Sequence, residues 1–369
     1  MRNFLITPFN RLIMIQIDDY SKLNGFKTVD SKSLKEMLLL YKIKKDTNVL
    51  ILTDNKKGSA APRIAKTIYD ELGIIGANTS LIVGRPTTKL GLAPKKINEA
   101  IFSLSEGDVL AIIASTGKGY THKKGKRVMI KDLIKKQGFR MLSMSALSSM
   151  KPNKVNTFLK SLNHDQKEVE KLNKKIARAM EKTTEVRITC SKGTDLTLSI
   201  KDRPVIMNHA NWKEYSTNYP VGETYTTPIE DSCEGKAVVS SYKVTGKTIL
   251  PKKPVEMIFE EGLLVETTGK EMAHNVNMTI RANKKFGTNN YEDTPRTISE
   301  FAIGTNKKAS IVGAMICDEK TYGTCHIAIG SNKHFGGKNY CLGHFDNVIV
   351  KPTIYFDDKM IMEKGKLLL

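Results

Sequence analysis

The first half of the chain alternates short apolar runs with amphipathic stretches. The run NVLILT at residues 48–53 is apolar almost throughout, which is typical of a strand buried on both faces. Ser59 can cap the helix that follows, and apolar residues then recur every four positions up to Leu72, before Gly73. Further strand-like runs lie at residues 79–83, 108–114 and 140–144. Strands that alternate with helices predict a largely parallel sheet.

The pattern changes near residue 183. Residues 165–182 carry apolar side chains at helical spacing with lysine and glutamate between them, which predicts an amphipathic packing helix. Beyond it, apolar and polar residues alternate in short stretches separated by turn residues, as in antiparallel strands. We therefore predict an N-terminal α/β domain over residues 1–183 with a largely parallel sheet. A mainly antiparallel β-rich domain is predicted over residues 184–369.

The candidate chemistry lies in the second predicted domain. His344 and Asp346 are two positions apart in the run HFDNVIV, so their side chains project from one face of the predicted strand. A carboxylate buried there is costly unless a partner satisfies it, and a bound metal would satisfy both groups. Other segments of the same domain offer further ligands: Glu223, Glu300, Glu319 and His326. Oxygen and imidazole ligands without thiolate suit zinc, cobalt, manganese or ferrous iron, and carboxylate-rich sets commonly hold two ions.

Charge and cysteine content narrow the class of protein. The net charge is +21, with its densest basic cluster at residues 118–127, but lysines are spread along the chain and aromatic content is only 7%. This distribution lacks the aromatic and basic pattern of single-strand binding, so we predict no nucleic-acid partner. The five cysteines form no C-x-x-C pair, and the first twenty residues read as neither a signal peptide nor a membrane span. We predict a cytoplasmic protein with reduced cysteines, which neither spans nor binds a membrane and has no dinucleotide-binding motif.

The motifs around the candidate ligands resemble those of a known family. The succession P-x-x-E-x-[FY]-T-x-P, a glutamate ahead of an apolar strand, D-E…H-[IL]-A-[IF]-G and H-x-D is similar to the C-terminal domain of the aminopeptidase T and aminopeptidase S metallopeptidases. The similarity covers roughly residues 218–358. It implies a homodimeric aminopeptidase that removes N-terminal residues from short peptides through a metal-activated water. It also implies two ions of zinc, cobalt or manganese, bridged by Glu300 and held by Glu223, Glu300, Glu319, His326, His344 and Asp346.

Two residues are predicted to act in the reaction itself. Glu300 would relay a proton to the leaving amine. Lys333 stands seven residues after His326, where the resembled peptidases have a catalytic tyrosine, and a lysine there could stabilise the substrate carbonyl. Tyr340 and His334 are the alternatives for replacing that tyrosine.

The same superfamily supplies an alternative function. It contains a ring-opening dioxygenase that acts on dihydroxypyridine and holds a single ferrous ion with two histidines and an aspartate, an arrangement that His326, His344 and Asp346 would meet. The additional carboxylates of Glu223 and Glu300 favour a second metal, so the hydrolase is the main prediction. A metal-binding protein without catalysis is the third hypothesis.

Overall fold

The computed structural model of the protein describes residues 14, 16–85, 94–116, 120–123, 126–209 and 216–369. Its helices are α1 (Lys32–Leu40), α2 (Ala61–Ile75), α3 (Lys95–Phe102), α4 (Ile130–Gln137), α5 (Val155–Leu162), α6 (Gln166–Met180), α7 (Lys270–Lys285) and α8 (Met315–Asp318). Short 3-10 turns lie elsewhere in the chain, among them Lys333–Phe335 between the last helix and the C-terminus.

The strands are numbered in chain order. The first ten are β1 (Asn48–Asp54), β2 (Asn78–Gly84), β3 (Val109–Ile113), β4 (Tyr120–Lys123), β5 (Lys126–Met129), β6 (Arg140–Met144), β7 (Glu185–Thr189), β8 (Asp195–Ser199), β9 (Val205–Asn208) and β10 (Ser216–Asn218). The others are β11 (Glu223–Thr226), β12 (Glu234–Val239), β13 (Ser241–Val244), β14 (Lys247–Ile249), β15 (Val255–Glu260), β16 (Leu263–Thr267), β17 (Ile298–Gly304), β18 (Thr324–Gly330), β19 (His344–Val350), β20 (Thr353–Phe356), β21 (Lys359–Glu363) and β22 (Lys366–Leu367).

A five-stranded parallel sheet with helices on both faces forms the first half of the molecule, in the order β10-β6-β3-β1-β2. In β1, Val49 and Ile51 pack in the core shared with α1, α2 and α5. Leu50 and Leu52 point to the other face and pack with α3 and α4. This double burial explains the continuous apolar run, and the predicted α/β arrangement with a parallel sheet is confirmed.

Two antiparallel sheets pack face to face in the second half. The seven-stranded sheet has the order β14-β13-β19-β18-β17-β11-β9, and the eight-stranded sheet has the order β16-β15-β12-β8-β7-β20-β21-β22. Phe301 and Ile327 of the first sheet share one apolar core with Ile188 and Leu198 of the second. Alternate residues of the seven-stranded sheet therefore point away from this core. The predicted β-rich antiparallel part is confirmed.

The two halves are joined by more than one passage of the chain. The edge strand β10 pairs with β6 of the parallel sheet although it follows the predicted boundary at residue 183 by more than thirty positions in the printed sequence. Apolar side chains between residues 309 and 317 also pack in the first core. The division into residues 1–183 and 184–369 stays a prediction.

The structure also bears on the sequence predictions about membrane spans, cysteines and the basic cluster. None of the helices in the described ranges combines the length and the hydropathy that crossing a bilayer requires. All five cysteines are free thiols, four of them buried. Most of the first twenty residues, and part of the basic cluster at residues 118–127, lie outside the described residues.

Candidate metal centre

Five of the six predicted ligands lie on one face of the seven-stranded sheet. Glu223 is on β11, Glu300 on β17, His326 on β18, and His344 and Asp346 on β19. These strands are neighbours in the order β19-β18-β17-β11, and the register of their pairing places the five side chains on the same side of the sheet. Their face is opposite to the one that packs in the apolar sandwich core, as the two-residue alternation of strands requires.

A bulge in β17 places Glu300 on this face. The pairing of β17 with β18 shifts between Ile298 and Glu300, so that one additional residue, Ser299, is accommodated. Ile298 and Phe301 both remain in the sandwich core despite being three positions apart. A bulge redirects the side chains that follow it, and here it brings the Glu300 carboxylate to the middle of the candidate ligands.

The Glu300 carboxylate lies between the two imidazoles. Its Oε1 is 3.2 Å from Nε2 of His326, and its Oε2 is 3.0 Å from Nε2 of His344. Nε2 of His344 is also 2.9 Å from Oδ1 of Asp346, and Nε2 of His326 is 3.7 Å from Oε2 of Glu223. The spacing H-x-D therefore does bring the imidazole and the carboxylate together on one strand face.

The sixth residue, Glu319, directly follows α8 and completes the cluster. Ligand atoms of Glu319, His326 and Asp346 lie within 4.8 Å of one another. The same limit holds for two further sets, Glu223 with Glu300 and His326, and Glu300 with His344 and Asp346. The structure thus brings all six predicted ligands into one pocket, and only His344 among them is partly exposed.

Mutual electrostatics dominates this pocket. Burial alone would raise the pKa of Glu300, but hydrogen bonds with His326 and His344 hold it to about 2. Burial alone would lower the pKa of both histidines, but the surrounding carboxylates raise it to about 9 for His326 and to about 10 for His344. Burial and the charges of Asp346 and other acids raise the pKa of Glu319 to about 7. These buried carboxylates stabilise positive charge strongly, as a cation site must.

The donor set fits a divalent metal ion. Nδ1 of His344 lies 2.9 Å from the carbonyl oxygen of Ser331, and because a carbonyl only accepts, Nδ1 carries the hydrogen. In the neutral tautomer that binds a metal, Nε2 then has the lone pair and faces the carboxylates, which is the orientation of a metal-ligating histidine held by an outer hydrogen bond. Oε2 of Glu223 is buried and has no hydrogen-bond partner among the described residues. Such an atom is satisfied when it binds a cation.

Two lysines that the sequence analysis did not select also enter the pocket. Lys320 is 1% exposed, and its Nζ donates to Oε1 of Glu223 and, over 2.6 Å, to Oε1 of Glu319. Nζ of Lys243 on β13 donates to Oδ2 of Asp346 over 2.8 Å. Burial alone would lower the pKa of each lysine, but the adjacent acids raise it, so both remain ammonium ions.

A glycine allows Lys320 to reach the sheet. Gly304 is paired with Glu223 across β17 and β11, and a Cβ atom at Gly304 would lie 2.2 Å from the carbonyl oxygen of Thr321. The segment that carries Lys320 therefore passes directly over the sheet at a point where no other residue would fit. Neither this contact nor the position of Lys320 beside the acids has a local sequence signal, because residues 318–323 read as an ordinary polar turn.

Aromatic rings and a further lysine line the side of the pocket that faces the N-terminal half. The ring of Phe335 meets that of His344 edge to face at 5.2 Å and that of Tyr225 at 5.5 Å. Nζ of Lys131, on α4, lies 5.8 Å from the centre of the Phe335 ring. Lys131 reaches solvent but has protein on most sides, and this partial desolvation lowers the pKa of its ammonium. Sequence analysis did not identify any of these three residues.

Lys333, predicted to act in catalysis, lies in the exposed turn Lys333–Phe335. Its Nζ is 5.7 Å from the centre of the ring of Tyr340, which is itself 44% exposed. His334, the other alternative, is also exposed in this turn. The structure thus brings the six predicted ligands together but places Lys333 over a surface tyrosine.

Comparisons with known proteins identify the relatives of this arrangement. The family model described as NicX, 2,5-dihydroxypyridine 5,6-dioxygenase, matches residues 31–369. The solved structure of a 2,5-dihydroxypyridine dioxygenase from Pseudomonas putida KT2440 superposes with a TM-score of 0.67 at 15% identity, covering 95% of this chain and 98% of that one. A ureidoglycine-glyoxylate aminotransferase from Bacillus subtilis covers 32% of this chain and 27% of its own at 16% identity, and its TM-score of 0.20 supports no shared fold. A comparison with curated proteins gives no match.

These findings correct the predicted function. The family match contradicts the assignment to the aminopeptidase T and S metallopeptidases, and with it the predicted hydrolase, aminopeptidase and metalloprotease activity. It agrees with the alternative, the dihydroxypyridine dioxygenase. The physical reason is that the quoted motifs record where metal ligands stand, and the same ligands serve different reactions. The clustered acids and histidines are candidate metal ligands, but two ions of zinc, cobalt or manganese are not supported.

Proposed function

Since this chain belongs to the 2,5-dihydroxypyridine 5,6-dioxygenase family, we propose that it is a ring-cleaving dioxygenase for a small dihydroxylated aromatic substrate. The observation that carries this proposal is the convergence of His326, His344 and Asp346 on one buried sheet face around Glu300. Two imidazoles and one carboxylate are the ligand set of non-haem ferrous oxygenases.

We assign the metal to His326, His344 and Asp346, and the metal is one ferrous ion. A ferrous ion held by these residues would supply the redox chemistry by which O₂ reacts with a dihydroxylated ring. Glu223 and Glu319 contact the same pocket, but each accepts a hydrogen bond from the Lys320 ammonium, which compensates their charge. They belong to the surroundings of the iron in this proposal, and the peptide substrate predicted from sequence is abandoned.

Glu300 is the general base of the proposal. Its carboxylate is buried and lies within hydrogen-bond reach of both imidazoles, so it stands beside any substrate oxygen that approaches them. The imidazoles that lower its pKa are neutral when they bind a metal, so the carboxylate can then accept the proton of a ring hydroxyl, which leaves the ring oxygen anionic and richer in electrons. The role predicted for Glu300 in proton transfer is thus kept, for a hydroxyl proton instead of the proton of a leaving amine.

The substrate is held from the side of the N-terminal half. Phe335 and Tyr225 meet edge to face beside His344 and offer apolar ring surface to a planar molecule. Lys131 extends over Phe335 and offers a positive charge to an anionic oxygen of that molecule. A small site of apolar surface with a few convergent polar groups is typical of small-molecule binding.

The experiment that tests this function compares two reactions on one preparation. The full-length protein is purified without oxygen and loaded with ferrous iron, and oxygen uptake is recorded with 2,5-dihydroxypyridine alongside the loss of ring absorbance. We expect uptake that depends on iron and one iron per chain. The zinc-loaded protein serves as one control, and a leucine anilide with a free N-terminus serves as the control substrate for peptidase activity. Hydrolysis of the anilide, with no oxygen uptake in the presence of any dihydroxylated ring compound, would contradict the proposal.

The homodimer expected from sequence stays a prediction, which light scattering can measure.

A further inference from the structure

The acidic pocket contains more carboxylates than one divalent ion needs. Glu223, Glu300, Glu319 and Asp346 are each less than a tenth exposed. Four buried carboxylates within one cluster are the composition from which sequence analysis predicted two metal ions. Buried charges of one sign are not stable together unless cations of equal charge accompany them.

Lys320 lies where a second cation would lie. Its Nζ contacts carboxylate oxygens from two different segments, Glu223 on β11 and Glu319 after α8. A second ion, bound beside an iron on His326 and His344, would compete with the lysine for the carboxylates of Glu223 and Glu319. The lysine is 1% exposed and has its backbone fixed over Gly304 by the close approach of Thr321. Its ammonium is therefore a permanent, internal part of the pocket.

The balance of charge agrees with this geometry. With every carboxylate ionised, the four acids carry four negative charges, and the ammonium groups of Lys320 and Lys243 compensate two of them. The histidines are neutral when they bind a metal. One divalent ion cancels the remaining charge, whereas two ions would leave an excess of positive charge in a buried site. Without the lysines, the same acids would balance two ions.

We propose that the Lys320 ammonium occupies the place of a second metal ion and limits the pocket to one. A pair of metals that activates a bridging water, as in two-metal hydrolases, cannot form while the lysine is present. The inference concerns the number of ions and not the reaction, so it can fail while the proposed dioxygenase stands, and the reverse also holds.

The test is a count of bound manganese in the full-length protein. Wild type is titrated with Mn²⁺ by calorimetry and electron paramagnetic resonance, with elemental analysis after dialysis. We expect one ion per chain and the spectrum of an isolated Mn²⁺. The variant Lys320→Met, which keeps the length of the side chain but loses its charge, is expected to bind two ions whose spectra are broadened by their mutual coupling. Two ions of comparable affinity in wild type would overturn the inference.

Two matched variants separate position from charge. Lys243→Met removes the same charge, but Lys243 contacts a single acid, Asp346, so we expect this variant to retain one ion. Lys320→Arg keeps the charge and is expected to retain one ion as well. A second ion in Lys243→Met would show that total charge, and not the place of Lys320, sets the count, and would overturn the inference.

Thermal unfolding decides the case in which Lys320→Met folds poorly. Removal of one partner leaves two buried carboxylates without their cation, so the variant is expected to unfold at a lower temperature than wild type in the presence of a chelator. Added Mn²⁺ should raise its melting temperature by more than it raises that of wild type, because the second ion replaces the lost ammonium. An equal or smaller rise, or a variant that stays unfolded at every Mn²⁺ concentration, would overturn the inference.

Discussion

Two regions of the protein bury carboxylates in the same degree but satisfy them in different ways. At the carboxyl end of the parallel sheet, Asp54 is fully buried and accepts from the backbone N–H of Ser115 over 2.8 Å, from the Ser115 hydroxyl over 2.6 Å and from the backbone of Lys56. In the metal pocket, Glu300 is 5% exposed and its partners are two imidazoles that contact further acids. The first acid is satisfied by neutral donors, and the second only by charge.

The difference distinguishes structural from functional burial. The place between β1 and β3 is where the connections of an open α/β sheet diverge, which is the usual ligand crevice of such sheets. There Asp54 and Ser115 bond to each other across the strands and require nothing more. In the pocket, by contrast, Oε2 of Glu223 lacks a hydrogen-bond partner within the part of the chain that the structure describes, and it faces the imidazole of His326 and the other acids. A bound cation would complete such an acceptor.

Removal of an imidazole from the pocket should produce the largest effect. His326→Ala deletes a proposed ligand that contacts Glu300 and lies near Glu223. We expect the bound iron to be lost and the rate of ring cleavage to fall roughly a thousandfold, which corresponds to about 4 kcal/mol of transition-state stabilisation. Elemental analysis and oxygen uptake measure the two outcomes.

His164→Ala is the matched control for that variant. His164 is also buried, but its Nε2 lies 2.9 Å from Oε1 of Gln166 and it stands outside the metal pocket. We expect His164→Ala to keep its iron and most of its activity. If His326→Ala retained iron and activity as well, burial of an imidazole would not distinguish the pocket from the rest of the protein.

The opposite pattern is expected at the carboxyl end of the parallel sheet. Asp54→Ala leaves the buried N–H of Ser115 and its hydroxyl without their acceptor. We expect the free energy of unfolding to fall by about 3 kcal/mol, measured by urea denaturation, while the iron content per folded chain stays the same.

A surface acid provides the control for Asp54. Asp195 pairs with Arg187 on the solvent-facing side of β7 and β8, and its side chain is 63% exposed. Asp195→Ala should change the free energy of unfolding by about 0.5 kcal/mol, because exposed ion pairs stabilise little. Loss of iron in Asp54→Ala at unchanged stability would show that the two regions do not differ as described.

Local pattern was enough to predict the sheets and the proximity of His344 to Asp346. The apolar run of β1 and the alternation beyond residue 183 follow from burial on two faces or on one, and these are properties of consecutive residues. The placement of His344 with Asp346 follows from strand geometry alone. The edge strand β10 could not be predicted in the same way, because its three residues pair with a sheet formed much earlier in the chain.

The lysines that neutralise the acids reach them through contacts that the sequence does not display. Lys320 and Glu223 are 97 residues apart, and Lys243 and Asp346 are 103 apart. The carboxylates could be counted from sequence, whereas the lysines that neutralise them resembled the many solvated lysines of a basic chain. The acids therefore favoured a two-metal hydrolase, and the lysines beside them did not enter that prediction.

A smaller effect than at His326 or Asp54 is expected where helix α4 of the N-terminal half approaches the metal pocket. Lys131 belongs to α4 of the N-terminal half, yet its ammonium lies over Phe335 beside the pocket and senses the charge of Glu300. Lys131→Met should raise KM for 2,5-dihydroxypyridine about tenfold, or ~1.4 kcal/mol, with little change in kcat, because the lysine holds the substrate and takes no part in the chemistry. Steady-state oxygen uptake measures both constants.

Charge and position can be separated on the same helix. Lys135 lies one turn further along α4 and is exposed, so Lys135→Met should leave KM unchanged, and Lys131→Arg should restore most of the affinity. Because the pKa of Lys131 is lowered, its ammonium loses its proton at a lower pH than the ammonium of an ordinary lysine does. The difference in KM between wild type and Lys131→Met should therefore narrow toward alkaline pH. A fall in kcat at unchanged KM would instead place Lys131 in the chemical step, and the N-terminal half would then contribute more than substrate binding to the pocket.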